Sequence, residues 1–157
     1  MSHAAIRDGL VALLQGVPNV GHFFDRERYV RDESKFMALY LYTPPGGHKQ
    51  VRGWWLRRKA TQERTVGLDL NMEMHTWMVR GYMALNDDAA TELEFDALIE
   101  TMRNAWRANP TLGGICQQSP VEGDNTDGLQ VLDVSPVLFC GVLCHSAWLE
   151  LRTWNFL

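Results

Sequence analysis

The string Cys140-Gly-Val-Leu-Cys144-His145 holds the densest set of reactive side chains in the sequence. Two thiols beside an imidazole suggest haem attachment, a zinc site or a Cys–His dyad. Each reading meets a physical obstacle. Haem attachment uses two residues between the cysteines, and here there are three. In an extended segment, residues four apart stand about 13 Å from one another, too far for two thiolates on one zinc ion. His145 then faces away from Cys144, and no third residue suggests itself to orient a dyad. A turn at Gly141 could bring the thiols together, but buried cysteines in a core strand are the simpler account.

The other histidines, His3, His22, His48 and His75, form no His-x-x-x-His pair, and no Gly-x-Ser-x-Gly elbow accompanies them. Gly46-Gly47 is too bare for a phosphate loop. The expectation is a protein without catalytic residues, metal or cofactor.

A second pattern is Arg52, Trp54, Trp55, Arg57, Arg58, Lys59 and Arg64. Cations interleaved with indoles are what a single-strand stacking platform uses. Strand alternation splits them, so Trp54 and Trp55 point opposite ways and at most one is expected in the core. The chain has 12 Arg to 3 Lys (15 Lys+Arg in all) and a net charge of −4. That balance argues against a bulk electrostatic grip on nucleic acid, and Arg is also favoured in protein interfaces.

The elements that must position these residues follow from pattern. At 157 residues with 46% hydrophobic content, the chain fits one domain, residues 1–157, with its own core. Three cysteines exclude a disulfide scaffold. The first residues lack a secretory signal, and the uncharged stretch Val134 to Leu149 is too short to span a membrane. A cytoplasmic protein with no membrane contact is expected.

Ser2 is a candidate N-cap for a helix with Ile6, Leu10, Leu13 and Leu14 as its stripe, ended by Gly16 and Pro18. Val20 to Phe24 is β-capable, and Asp25 to Lys35 reads as a solvated connection of mixed charge. Phe36 to Tyr42 is a strand candidate, broken by Thr43-Pro44-Pro45-Gly46-Gly47, with Val51 to Ala60 as its return. Thr61 to Asn71 reads as a polar loop, and Glu73 to Leu85 as the clearest strand. A helix follows, capped by Asp88 or by a Thr91/Glu94 box, with Phe95, Leu98, Ile99, Met102, Ala105 and Trp106 buried. Asn109-Pro110 stops it. After the polar loop Gly113 to Gly128 come strands at Leu129 to Val134 and Phe139 to Phe156. This order predicts an α+β fold with helices on one face of a mainly antiparallel sheet.

In the last strand, alternation puts His145, Ala147, Leu149, Leu151 and Thr153 toward the helices. Trp148, Glu150, Arg152 and Trp154 fall on the outer face, a mixture suited to a protein contact. Of the six Trp in the chain, Trp77 and Trp106 are expected in the core, and Trp148 and Trp154 against a neighbour.

The amphipathic first helix, Val17-Pro18-Asn19-Val20-Gly21, the strand from His75 to Tyr82, the Phe95-to-Trp106 helix and the closing Cys144-to-Leu151 strand occur in a familiar order. Together they make the chain resemble the tail terminator, or tail completion, proteins of lambda-type long-tailed bacteriophages. The resemblance runs from about Ala4 to the end, as a sequence of elements more than a fingerprint, and the Trp54-Trp55 pair has no counterpart in it.

It implies an α+β fold like that of tail tube subunits and a ring, expected to be a hexamer, on the head-proximal end of the tube. Such a ring stops tube polymerisation and offers a surface to the neck or head-completion protein. Genome DNA passes through its lumen without specific binding, and the resemblance carries no catalytic residue. The implied location is the virion tail, reached from the host cytoplasm during assembly.

A head-to-tail ring needs two unlike patches on each subunit. The candidates are Trp148, Glu150, Arg152 and Trp154 on one side, and Arg28, Arg31 and Asp32 on the other. Pro44, Pro45 and His48 in the turn, with Gln117, Glu122 and Asp124 in the long loop, are candidates for contact with tube or neck. The alternative is a small nucleic-acid- or peptide-binding module using the Trp/Arg-rich strand surface.

Overall fold

The computed structural model describes residues 3–117 and 128–157. Ser2, Glu122 and Asp124 lie outside the described residues. The elements are α1 (His3–Gln15), β1 (His22–Phe24), α2 (Glu33–Ala38), β2 (Leu41–Tyr42), β3 (Gln50–Gly67), β4 (Leu70–Ala84), α3 (Thr91–Ala108), β5 (Gln130–Phe139) and β6 (Val142–Phe156). The sheet runs β1-β3-β4-β6-β5, with β2 also on β3. Only β1 and β3 pair in parallel; the other ladders are antiparallel. The fold is the expected α+β arrangement, with α1 and α3 on one face.

Both faces of the sheet are covered, however. On the inner face, Ile6, Leu10 and Leu14 of α1 and Phe95, Ile99, Met102 and Trp106 of α3 pack on Trp54, Trp77, Val79, Leu149 and Leu151. On the outer face, Phe36, Met37 and Tyr40 from α2 and the residues after it cover Trp55, Tyr82, Phe139 and Cys144. Trp54 and Trp55 are therefore both core residues, one on each side, where the sequence suggested at most one. The second cover was hidden because Phe36 to Tyr42 reads as a strand. Asp32 instead accepts hydrogen bonds from Ser34 N at 2.9 Å and Lys35 N at 3.3 Å and starts α2 there. Only Leu41 and Tyr42 remain as strand.

Two more boundaries differ from expectation. Thr61 to Asn71 is not a loop: β3 and β4 continue through it as a hairpin closed by Gly67↔Leu70. Its polar composition reflects solvent on both faces, since every residue from Arg57 to Leu70 is exposed. At the start of α3, neither Asp88 nor a Thr91/Glu94 box caps the helix. Ala90 occupies the N-cap in a left-handed conformation with no side-chain cap bond. The Thr91 hydroxyl is used elsewhere, accepting from Asn86 N at 2.8 Å and bonding His145 Nε2 at 2.7 Å.

Two glycines let aromatic rings lie flat on the sheet. A Cβ at Gly81 would overlap the Trp54 indole, and a Cβ at Gly53 would overlap the Tyr40 ring. Trp54 lies opposite Gly81 across the ladder and stacks on Phe95 with centroids 5.6 Å apart. Gly81→Ala should therefore destabilise the fold by roughly 1–3 kcal/mol or more, as overpacking does. Urea unfolding checks this; a midpoint equal to that of the parent chain would contradict the packing described.

Candidate functional site

The Cys140–His145 string resolves into separate parts. Cys140 and Gly141, with φ of 50° and 77°, form the tight turn between β5 and β6. Cys144 packs into the outer-face core, where burial pushes its thiol up to about 11. It is protonated at neutral pH and a poor nucleophile. His145 lies on the opposite face, bonded to Thr91 and stacked over Phe95 at 5.7 Å. The two side chains do not form a dyad. Among the described residues, no cluster of His, Cys, Asp or Glu could hold a metal ion.

A polar cluster that the sequence did not reveal sits at the root of the β3–β4 hairpin. His75 is buried, with Nδ1 2.8 Å from Thr61 Oγ1 and Nε2 3.0 Å from Glu73 Oε1. Asn155 Nδ2 donates to the same Glu73 oxygen at 3.0 Å. The His3 ring stacks on Trp77 at 4.7 Å, and Trp77 Nε1 donates to Thr153 Oγ1 at 2.9 Å. These bonds join β3, β4 and β6, so the cluster works as a lock between strands. Its sequence signals were His75 beside Trp77 and Glu73 two residues earlier on the same face of β4; Thr61 and Asn155 arrive through ladder register.

The outer face carries the surface that the sequence pointed to. Trp148 is half-buried, edge-on to Trp55 at 5.7 Å. Arg80 lies opposite it on β4, its guanidinium 4.4 Å from the Trp148 ring centroid and 5.0 Å from that of Tyr82. Glu150 holds Lys59 at 3.0 Å, and Arg57 reaches Glu27 at 3.5 Å. Arg152 is half-buried farther along β6. Trp154 is buried: it packs with Met74, and its carbonyl accepts from Gln117 N at 2.6 Å. Trp154 and Gln117 therefore serve each other within the chain.

The mixed-charge segment is not a separate patch. Arg28 lies over Phe24 at 5.1 Å, and Phe24 pairs with Trp55. Through Glu27–Arg57 the segment joins the Trp148 face as one continuous surface. Asp32 caps α2, and Arg31 is exposed. The two halves expected to meet across a ring interface thus lie side by side on one surface.

Pro44, Pro45 and His48 line a cavity of about 540 Å³ together with Arg52 and Glu94. Arg52 is buried and donates to Asn19 O at 3.1 Å, Gln50 Oε1 at 3.3 Å and Glu94 Oε1 at 2.9 Å. This guanidinium ties the α1–β1 connection and the start of β3 to the first turn of α3. Neither Trp54 nor Trp55 offers an open ring face to a nucleic-acid base, since both are buried.

The hairpin lock has a pH signature. Burial alone would raise the Glu73 carboxyl, but the Asn155 hydrogen bond and the nearby His75 outweigh it and hold the group below its ordinary value. A depressed folded value stabilises the fold above the unfolded value and is lost as pH falls through the folded one. Acid-side stability should therefore decline below about pH 4, and Glu73→Gln should flatten that decline. Thermal unfolding as a function of pH checks this, and an unchanged slope in the variant contradicts it. In comparisons with known proteins, the chain matches no family model and no curated protein.

Proposed function

We propose that this chain is a tail terminator: a structural subunit that forms a ring, hexameric by the resemblance, on the head-proximal end of a phage tail tube. The ring ends tube growth and presents the interface for the neck. The observation that carries this reading is the β3–β4 arm. Beyond Trp55 no strand among the described residues pairs with the free edge of β3, leaving a run from Leu56 to Gly67 of about 40 Å at strand rise. The arm ends in exposed Val66, Leu68 and Leu70. An exposed apolar tip on an otherwise polar arm gains by burial against another chain.

The opposite edge argues for contact through faces and arm rather than strand addition. β5 carries a register shift at Leu132, the charge of Asp133 and Pro136 within the strand. Each of these blunts an edge against pairing. The turn with Pro44, Pro45 and His48 is assigned to axial contact with tube or neck. No residue is assigned to DNA, which passes through the lumen.

Leu68 is 99% exposed, so Leu68→Asp should leave stability within about 0.5 kcal/mol of the parent. It should nonetheless weaken ring formation. Native mass spectrometry of both proteins, alone and with tube protein, reads this. A parent that never exceeds a monomer in either condition would sink the ring, and unchanged rings in the variant would remove the arm from the interface.

A further inference from the structure

Where the arm leaves the sheet, Arg57, Lys59, Met78, Leu132, Asp133 and Trp148 line a shallow cup of about 360 Å³. Its floor is apolar. Arg57 and Lys59 are about half exposed, at 53% and 52%, while their carboxylate partners Glu27 and Glu150 lie deeper, at 29% and 14%. The rim therefore presents mainly positive charge to an approaching surface, with Asp133 as one carboxylate among it.

The molecule also carries the complement. From Asn86 to Ala97 the sequence holds Asp87, Asp88, Glu92, Glu94 and Asp96 and no cation. Among these carboxylates, on the first turn of α3, Leu93 stands 69% exposed. A large apolar side chain ringed by carboxylates is the chemistry that an apolar cup with a cationic rim accepts.

We infer that the cup receives the acidic first turns of α3 from a second copy of this chain, with Leu93 seated on Met78 and Trp148. The inference rests on the ring reading, and it supplies the second patch which that ring lacked. The cup lies on the outer face of the sheet and α3 on the inner face. The contact is therefore head-to-tail and leaves an open cup and an open helix at the ends of any incomplete assembly, which only ring closure satisfies. The arm beside the cup then reaches along the helical layer of the seated neighbour.

The test uses two charge-reversed chains, Arg57→Glu with Lys59→Glu, and Glu92→Lys with Asp96→Lys, read by sedimentation velocity at low salt. Each alone should associate about tenfold or more weakly than the parent. Mixed together, they should assemble with the two chains alternating, because an intact cup meets an intact helix and a reversed cup meets a reversed helix. A chain carrying all four changes should regain assembly. If both variants assemble like the parent, this contact is overturned while a parent ring still stands. If only the cup variant is impaired, the occupant is another acidic segment and the inference fails. A parent that is monomeric alone at every concentration also overturns it, and ring formation on added tube protein then decides the terminator reading separately.

Discussion

The indole of Trp54 rests on the bare backbone of Gly81 and is held there by Phe95 of α3. One residue away on the same strand, Gly53 lets the Tyr40 ring lie against the opposite face. These two contacts set how closely each covering layer approaches the sheet. α1 and α3 settle on one side and the α2 segment on the other, so a six-stranded sheet becomes the middle of three layers. The arm, at the far ends of β3 and β4, stays exposed to solvent, while the Trp148 surface and the cup begin in the row level with Phe24 and Trp55.

Legibility followed periodicity. The inward stripe of β6 and the buried positions of α1 and α3 could be read because alternation and helical spacing each select one face. The fold class followed from those elements. The α2 segment was misread because Phe36, Met37, Leu39, Tyr40 and Leu41 look like a strand, whereas one Asp32 side chain on two backbone N–H groups decides for a helix. The arm was misread for a different reason: a strand with solvent on both faces has no apolar alternation to betray it. The His75 lock was only half visible because Thr61 and Asn155 meet His75 and Glu73 only once strand register is fixed.

The tryptophans illustrate the same division. Trp77 and Trp106 are core, as their stripes indicated. Trp154 sits on the outer face as alternation required, yet Met74 and Met72 pack against it within the chain. Alternation gives the face of a side chain and not what lies over it. Trp148 is the indole left half-open, and its neighbours Arg80 and Arg57 give that opening a cationic character. An interface built there is electrostatically directed and buries modest apolar area, which suits subunits that must assemble in order rather than associate indiscriminately.

Length control of a growing tube tests the terminator assignment most directly. Purified tube protein is polymerised with increasing amounts of this chain, and tube lengths are measured by electron microscopy. The account predicts shorter tubes as the chain is added, each stopped tube carrying a ring with sixfold symmetry at one end. Tubes of unaltered length with bare ends at every ratio would contradict it.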